Sequence, residues 1–377
     1  MVKRRILHVV YSLDPGGMEN GVVNVSNSLE EDLFEVSILC LSHRGELAKR
    51  LHSSIQVIEL KKRQGLDLGI IAKIYRLFSE LKPDVVHSHN LGPLIYVVLP
   101  LIASHNSIQL IHGEHASLTK TDLAKKKILQ RLVLYTYCKM LHTVGREMTK
   151  HFNALYFVKS KVCTLQNGVD TQRFTPNLDK SNNKDVIHPK LKDKFVISLF
   201  ARYGKYKGHA YVLDIFERIA SIHPNTVLMF VGGGGEREQA ILKMVDDHQY
   251  RDRIICTGFQ QDPVPYYRAS SIVILASENE GLSNVMLEAM SCSVPLVALN
   301  SCGVSDLIID NQNGYILPSC SLDSAISLLS AVLCKPNYEL AVIGKSGREF
   351  VERKYSIRTM IRNYEECYLE YSDSQWR

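Results

Sequence analysis

Short apolar runs alternate with stretches of helical apolar period along nearly the whole chain, and this alternation constrains the fold more than any other feature. In the first half the apolar runs fall at 5–11, 35–41, 55–60, 84–88, 108–112, 140–144 and 161–165. Helical patterns near 18–29, 69–81, 92–104, 121–137 and 145–153 separate most of them. A strand, a crossing helix and a second strand form a βαβ unit, whose sheet is parallel. The polar stretch "TPNLDKSNNKDVIHPKLKDK" (175–194) carries two prolines and no periodicity, as a linker does. A second alternation follows, with strands predicted at 195–200, 226–231, 253–257, 272–276 and 295–298. Beyond about 320 the pattern is helical only, at 321–334, 339–353 and 356–371.

The pattern therefore predicts an α/β chain of two Rossmann-like domains with parallel sheets facing across a cleft. The N-terminal domain is expected at 1–175, the linker at 176–194 and the C-terminal domain at 195–355. Residues 356–377 are expected as a C-terminal helix, a candidate for packing back on the N-terminal domain. In open α/β sheets ligands bind beyond the carboxyl ends of the strands. With two such domains, the cleft is the default site.

Composition narrows the class. A chain of 377 residues, 45% hydrophobic and 22% charged, suits a soluble protein of two domains. A net charge of +6 suits an anionic ligand or a membrane surface and is too small to argue for nucleic acid. Nine cysteines without a CxxC pair fit reduced thiols in a cytoplasmic protein. The N-terminal apolar run "ILHVVY" is short and no cleavage site follows it, so it reads as a first strand and not a signal peptide. The next longest run, "LIYVVLPLIA" (94–103), is too short to span a bilayer.

The chemistry gathers after the strands. The first strand ends in "DPGGMENG", where Gly16 and Gly17 allow a tight turn before a helix whose amides face an anion. The dinucleotide pattern fails here, because the glycines are 16, 17 and 21 and no acid ends the second strand. Two later strands end in histidines, "DVVHSHN" (His87, His89) and "LIHGEH" (His112, His115). With Glu114 these could be drawn as a metal site. Their spacing matches no standard zinc pattern, and two strand ends need not converge. They read more simply as polar residues at strand ends, and no metal is assigned. His112 is the functional candidate among them, since Gly113 after it leaves room for a substrate.

In the second half, the strand at 195–200 leads into "ARYGKYKGH", where Arg202 and Lys207 offer a forked guanidinium and a point charge to a diphosphate. The run "FVGGGGEREQ" either lets backbone approach a nucleotide or is a flexible turn. The stretch "SENEGLSNVMLEAM" holds Glu280 in a loop, Ser283 or Asn284 as a helix cap, and Glu288 about five residues into the helix, roughly 7 Å along its axis. Amides of Leu282, Ser283 and Asn284 would then face an anion, with Glu288 one step further toward a ribose diol. The plainer alternative makes both acids surface residues.

Taken together, "GGMEN", "HGEH", "QNGVDTQRF" (166–174), "ARYGKYKGH", "FVGGGGE", "CTGF" (256–259) and "ENEGLSNVMLEAMSCSVPLVA" resemble, in this order, the retaining glycosyltransferases of family four, which have the GT-B fold. "YSLDPGGMENGVVN" with "HGEH" is similar to the sugar transferases of exopolysaccharide and capsule assembly. The resemblance implies that Arg202 and Lys207 grip the donor diphosphate and that Glu288 binds the ribose. It implies that Glu280 contacts the donor sugar and that Gly281, Leu282 and Ser283 bind the phosphate. Gly16 and Gly17 would approach the donor from the other domain, with His112 beside the transferred sugar. No metal and no cofactor are implied. The chain departs from the family at Ser293 and Cys302, where glycines are usual, and at Asp306, where a glutamate is. "TVGREM" (143–148) lacks the usual serine.

The expected function is metal-independent transfer of a sugar, with retention, from a nucleotide diphosphate sugar to a glycan or lipid-linked acceptor, in polysaccharide biosynthesis. A uridine donor is taken ahead of a guanosine one. The alternative is a nucleotide-sugar-binding or epimerase-type protein of the same fold, without transferase activity. The basic segment 119–137 alternates apolar and cationic residues. It is either a helix lying on the inner face of the membrane or a solvated helix face.

Overall fold

The computed structural model describes residues 3–104, 108–115, 124–156, 162–176, 184–277, 282–300, 303–318 and 321–370. The chain divides into two compact units. Unit 1 is Met1–Gly168 with Ile357–Arg377, and unit 2 is Val169–Ser356.

Unit 1 runs β1 (Arg4–Val10), α1 (Gly17–Ser28), β2 (Phe34–Cys40), β3 (Gln56–Glu59), α2 (Gly69–Leu81), β4 (Val85–His89), α3 (Leu91–Ala103), β5 (Gln109–Glu114), α4 (Lys125–Tyr135), β6 (Met140–Thr143), α5 (Arg146–Tyr156) and β7 (Val162–Thr164). Its seven strands pair in the order β3-β2-β1-β4-β5-β6-β7, all parallel. Helices cover both faces of the sheet, and β4, at its centre, is buried at every residue.

Unit 2 runs α6 (Lys184–Ile187), β8 (Phe195–Phe200), α7 (His209–Ile222), β9 (Thr226–Val231), α8 (Glu238–Asp246), β10 (Ile254–Cys256), α9 (Val264–Ala269), β11 (Ile272–Leu275), α10 (Asn284–Ser291), β12 (Leu296–Leu299), α11 (Val304–Leu307), β13 (Tyr315–Leu317), α12 (Leu322–Leu333) and α13 (Asn337–Lys354). Its six parallel strands pair as β10-β9-β8-β11-β12-β13. Both sheets thus have the doubly wound order, with the switch point between β1 and β4 in unit 1 and between β8 and β11 in unit 2.

The last helix, α14 (Ile357–Glu370), belongs to unit 1. Its buried stripe of Met360, Ile361, Tyr364, Cys367 and Tyr368 has helical spacing and packs on Ile6, Phe34, Val85, Ile111 and Met140.

The two Rossmann-like sheets read from the sequence are present. Each apolar run named above contains a strand within a residue or two of its expected limits. The strand β13 was not expected, and it interrupts the helical reading of the C-terminal region just before it begins. The chain crosses between units at Gly168 and Val169, ahead of the polar stretch expected as a linker. Arg348 holds the crossing segment in unit 2 by donating to Phe174 O at 3.1 Å and to Thr171 O at 3.3 Å. At the far end of the polar stretch, Lys184 Nζ donates to Lys194 O at 3.0 Å and to Ser271 Oγ at 3.3 Å. Among the described residues no single helix is long and apolar enough to cross a membrane, while α12 and α13 pass such a test only together, across a 106° bend.

Candidate active site

Unit 2 builds a polar site at its switch point. Strands β8 and β11 pair directly, Ile197 with Ile272 and Ser198 with Val273, so their C-terminal loops leave the sheet side by side. The β8 loop carries Arg202, exposed, and Lys207, half-buried. Three glycines determine where that loop lies. Gly208 caps α7 in a left-handed conformation (φ 75°), and a Cβ there would stand 2.3 Å from Ala276 O on the β11 loop. Gly232 (φ 146°) and Gly235 (φ 107°) abut the backbone of Ala201 and Tyr203, where a Cβ would come within 2.1 Å and 2.6 Å. Tyr203 N donates to Gly234 O at 2.8 Å and Arg237 N to Tyr203 O at 2.9 Å. The glycine run therefore supports the cation loop closely, which the sequence left open between nucleotide approach and flexible turn. Glu236 also faces this loop, accepting from Lys205 N at 2.7 Å.

Beyond β11, Leu282 and Ser283 are buried and lead into α10. Ser283 occupies the N-cap position in extended conformation, but its side chain makes no capping bond. Glu288 sits mid-helix and half-buried, where Tyr267 Oη donates to its Oε2 at 2.8 Å. The ring of Tyr267 stacks on Phe200, the last residue of β8, at 3.8 Å and 11°. Burial, then the Glu288 charge, pushes the Tyr267 phenol well above its ordinary range, so it remains a donor. The helix ends in a Schellman turn, with Val294 N donating to Ala289 O at 3.0 Å and Ser293 N to Met290 O at 2.9 Å. Ser293 takes the left-handed place (φ 57°) that glycine prefers. Glu280 and Gly281 lie outside the described residues.

In unit 1, Gly16 is the extended N-cap of α1 and Gly17 its first residue. The carboxylate of Glu19 folds back so closely that a Cβ on Gly16 would meet its Oε2 at 2.2 Å. The amide-rich end of α1 thus already faces an anion of the chain itself. His112 is fully buried (0%). Its Nδ1 pairs with Ser88 Oγ at 2.9 Å, and its Nε2 lies 3.5 Å from Glu114 Oε1. Arg131 Nε (3.1 Å) and Tyr135 Oη (2.7 Å) donate to the same carboxylate oxygen. Burial alone would raise the Glu114 carboxyl, but His112, Arg131 and Tyr135 together hold it at about 2. The room expected at Gly113 is also filled, since a Cβ there would meet His142 Nε2 at 2.5 Å and His115 Nε2 at 2.8 Å.

Of the residues singled out in the sequence, Arg202, Lys207, Leu282, Ser283 and Glu288 collect around one switch point in unit 2. Gly16, Gly17 and His112 belong to unit 1. Tyr267 was missed. Its sequence context, "YYRASSIVILA", reads as an ordinary helix before a strand, and only the fold brings it to Glu288.

The two halves of the chain match two sequence families. Residues 15–173 match the family described as Glycosyltransferase Family 4, and residues 180–350 match Glycosyl transferases group 1. A UDP-Gal:alpha-D-GlcNAc-diphosphoundecaprenol alpha-1,3-galactosyltransferase of Escherichia coli is 23% identical, over 98% of this chain and 97% of its own. The capsular polysaccharide biosynthesis glycosyltransferase CapM of Staphylococcus aureus is also 23% identical, over 98% of this chain and 97% of its own. Among solved structures, the Anabaena protein HepE in complex with UDP and glucose superposes with a TM-score of 0.82 at 18% identity, over 96% of this chain and 98% of that one. A glycosyltransferase from Rickettsia africae superposes equally well (0.82, 18% identity), over 99% of this chain and all of its own. With matched domains in both halves and relatives along its whole length, the chain belongs to the family-four glycosyltransferases of GT-B fold.

Proposed function

We propose that this glycosyltransferase moves a sugar from a uridine diphosphate sugar to a glycan or lipid-linked acceptor, with retention at the anomeric carbon, in polysaccharide assembly. The observation that carries the reading is the arrangement around β8 and β11. Gly208 seats the Arg202–Lys207 loop against Ala276, and Phe200 and Tyr267 link the end of β8 to Glu288. Arg202, Lys207 and the amides of Gly281, Leu282 and Ser283 would bind the diphosphate, Glu288 the ribose diol, and Glu280 the donor sugar. As the bond from the anomeric carbon to the phosphate oxygen breaks, charge grows on the leaving diphosphate, and fixed cations stabilise that charge without a divalent ion. The acceptor oxygen attacks on the same face and its proton passes to the departing phosphate oxygen, so no protein base is needed. His112, held by Ser88 and Glu114, would stand beside the transferred sugar.

UDP is bound in the HepE structures, and the Escherichia coli relative is named for a UDP-sugar and a diphosphoundecaprenol acceptor, which favours uridine and a lipid-linked acceptor here. A lipid-linked acceptor would bring the protein to the cytoplasmic face of the membrane. The test is a thermal-shift series with UDP- and GDP-sugars beside the free nucleotides. One UDP-sugar should stabilise the protein beyond UDP itself. Stabilisation by GDP-sugars alone would overturn the base assignment. Turnover should be equal with and without added Mg2+ or Mn2+, and the product should keep the donor's anomeric configuration by NMR.

A further inference from the structure

Histidines from three strands and one loop share a buried face of unit 1. On a strand, residues two apart point to the same side, so His87 and His89 stand together on β4, their rings 4.2 Å apart. Parallel pairing places His8 of the adjacent β1 beside His87. On the other side His89 pairs with Gly113 of β5, and Gly113 with His142 of β6. Gly113 contributes no side chain, so the rings meet across it. His87 Nε2 reaches His142 Nε2 at 2.8 Å, and His89 Nδ1 reaches His115 Nε2 at 2.9 Å. His8 Nδ1 lies 3.0 Å from His89 Nε2, and Tyr368 Oη 2.8 Å from His87 Nδ1. His112 has its contacts elsewhere, with Ser88 and Glu114, so the set that converges is not the one suggested by the two sequence motifs.

The rings His8, His87, His89 and His142 are at most 1% exposed. The hydrogen-bond chains leave the buried His8 Nε2 without a partner. Orphaned buried nitrogens are rare in a packed core and call for an explanation.

We propose that unit 1 holds a divalent transition-metal ion of the zinc class on His8, His87 and His89, with His142 completing the set. One ring nitrogen from each of the first three lies within 4.8 Å of the others. The rings stand 25–33° from parallel, so on binding each would turn until its nitrogen lone pair meets a common centre at the nitrogen–zinc distance of roughly 2.0–2.1 Å. Two imidazoles at i and i+2 on one strand and a third on its neighbour form a three-histidine set of the kind zinc uses. The ligands are enclosed and no open coordination position faces solvent, so the ion is structural. It ties β1, β4 and β6 together at the switch point of the sheet, and Tyr368 on α14 lies against the ligand His87. This role is independent of the transfer chemistry assigned to unit 2.

The test uses the full chain carrying an affinity tag without histidine. Elemental analysis should find about one equivalent of zinc or a similar first-row ion per chain. Protein stripped of metal should take up Co2+ with the visible absorption of a tetrahedral nitrogen site, and zinc should raise its melting temperature. His89→Gln should weaken metal binding at least roughly 10–100-fold, the loss caused even by partners that only orient a ligand. His248→Gln in unit 2 should bind as the wild type does. Wild-type protein with under about a tenth of an equivalent and no Co2+ absorption overturns the site. So does metal that binds His8→Gln and His89→Gln as tightly as the wild type. If either variant fails to fold by circular dichroism, the wild-type stoichiometry and Co2+ spectrum decide.

Discussion

Tyr267 Oη, from α9, donates a 2.8 Å hydrogen bond to Glu288 Oε2 on α10, and the Tyr267 ring stacks on Phe200 at the end of β8. One side chain thus fixes the direction of the carboxylate proposed to read the ribose. Removing only the hydroxyl, in Tyr267→Phe, keeps the stack and loses the bond. Hydrogen bonds to charged groups contribute about 1.5–3 kcal/mol, so KM for the donor should rise roughly tenfold while kcat stays near wild type. A lowered melting temperature with unchanged KM would reduce Tyr267 to packing.

Glu288→Ala and Lys207→Ala should each lower donor-dependent kcat/KM at least about tenfold, the scale of one charge-assisted contact. Neither residue lies deep in the core, so folding should survive both changes. Steady-state kinetics with the preferred donor checks this, and near-normal values in both variants would defeat the site assignment.

The strands were legible because a parallel sheet buries both faces, so each strand is a near-continuous apolar run between polar loops. β13 was not, since Tyr315–Leu317 is too short to show a period. The cation loop was visible as Arg202 and Lys207, but the tightness of its seat depends on where Gly208 meets Ala276. The histidine face was hidden for the same reason. His8 and His142 lie inside apolar runs, and only the pairing of His8 with His87 and of Gly113 with His142 brings them to the other rings.

Ser293 should be a stability liability. It holds the left-handed position of the turn that ends α10 (φ 57°), where a side chain with a Cβ is strained by roughly 1–2 kcal/mol. Gly344 of α13 packs so tightly on this turn that a Cβ there would stand 2.0 Å from Ser293 O, so the turn cannot relax outward. Glycine relieves the strain but adds freedom to the unfolded chain. Ser293→Gly should therefore stabilise unit 2 by about 0.5–1 kcal/mol, read as a higher melting temperature. An unchanged or lower value would show that the serine conformation is unstrained.

The helix α4 turns Arg131 and Tyr135 inward to Glu114 and exposes Leu129 (63%) and Val133 (54%). Lys125 and Lys126 are exposed at its start. An outward apolar ridge beside lysines suits a surface of anionic lipid. Co-sedimentation with vesicles containing anionic lipid should therefore exceed that with neutral vesicles. Replacing Lys125, Lys126 and Lys127 with glutamine should abolish the difference. Equal sedimentation of wild type and variant would favour a merely solvated helix.

His209 makes unit 2 sensitive to acid. Its ring packs against Tyr203 at 4.8 Å and Phe230 at 5.1 Å, and neither of its nitrogens has a hydrogen-bond partner. Burial, then the Lys207 charge, lowers its pKa to about 4. An unfolded chain takes a proton on this ring below about pH 6.5, whereas the folded one does not until about pH 4. The unfolded state is therefore favoured increasingly as pH falls through that window, and stability present above pH 6.5 is lost toward pH 4. His209→Phe removes the titration and the two orphaned nitrogens together. Between about pH 7.5 and about pH 5 the wild type should lose about 1–2 kcal/mol more than the variant, measured from denaturation midpoints. Parallel pH profiles for the two proteins would mean that the ring is protonated in the folded state, contrary to its burial.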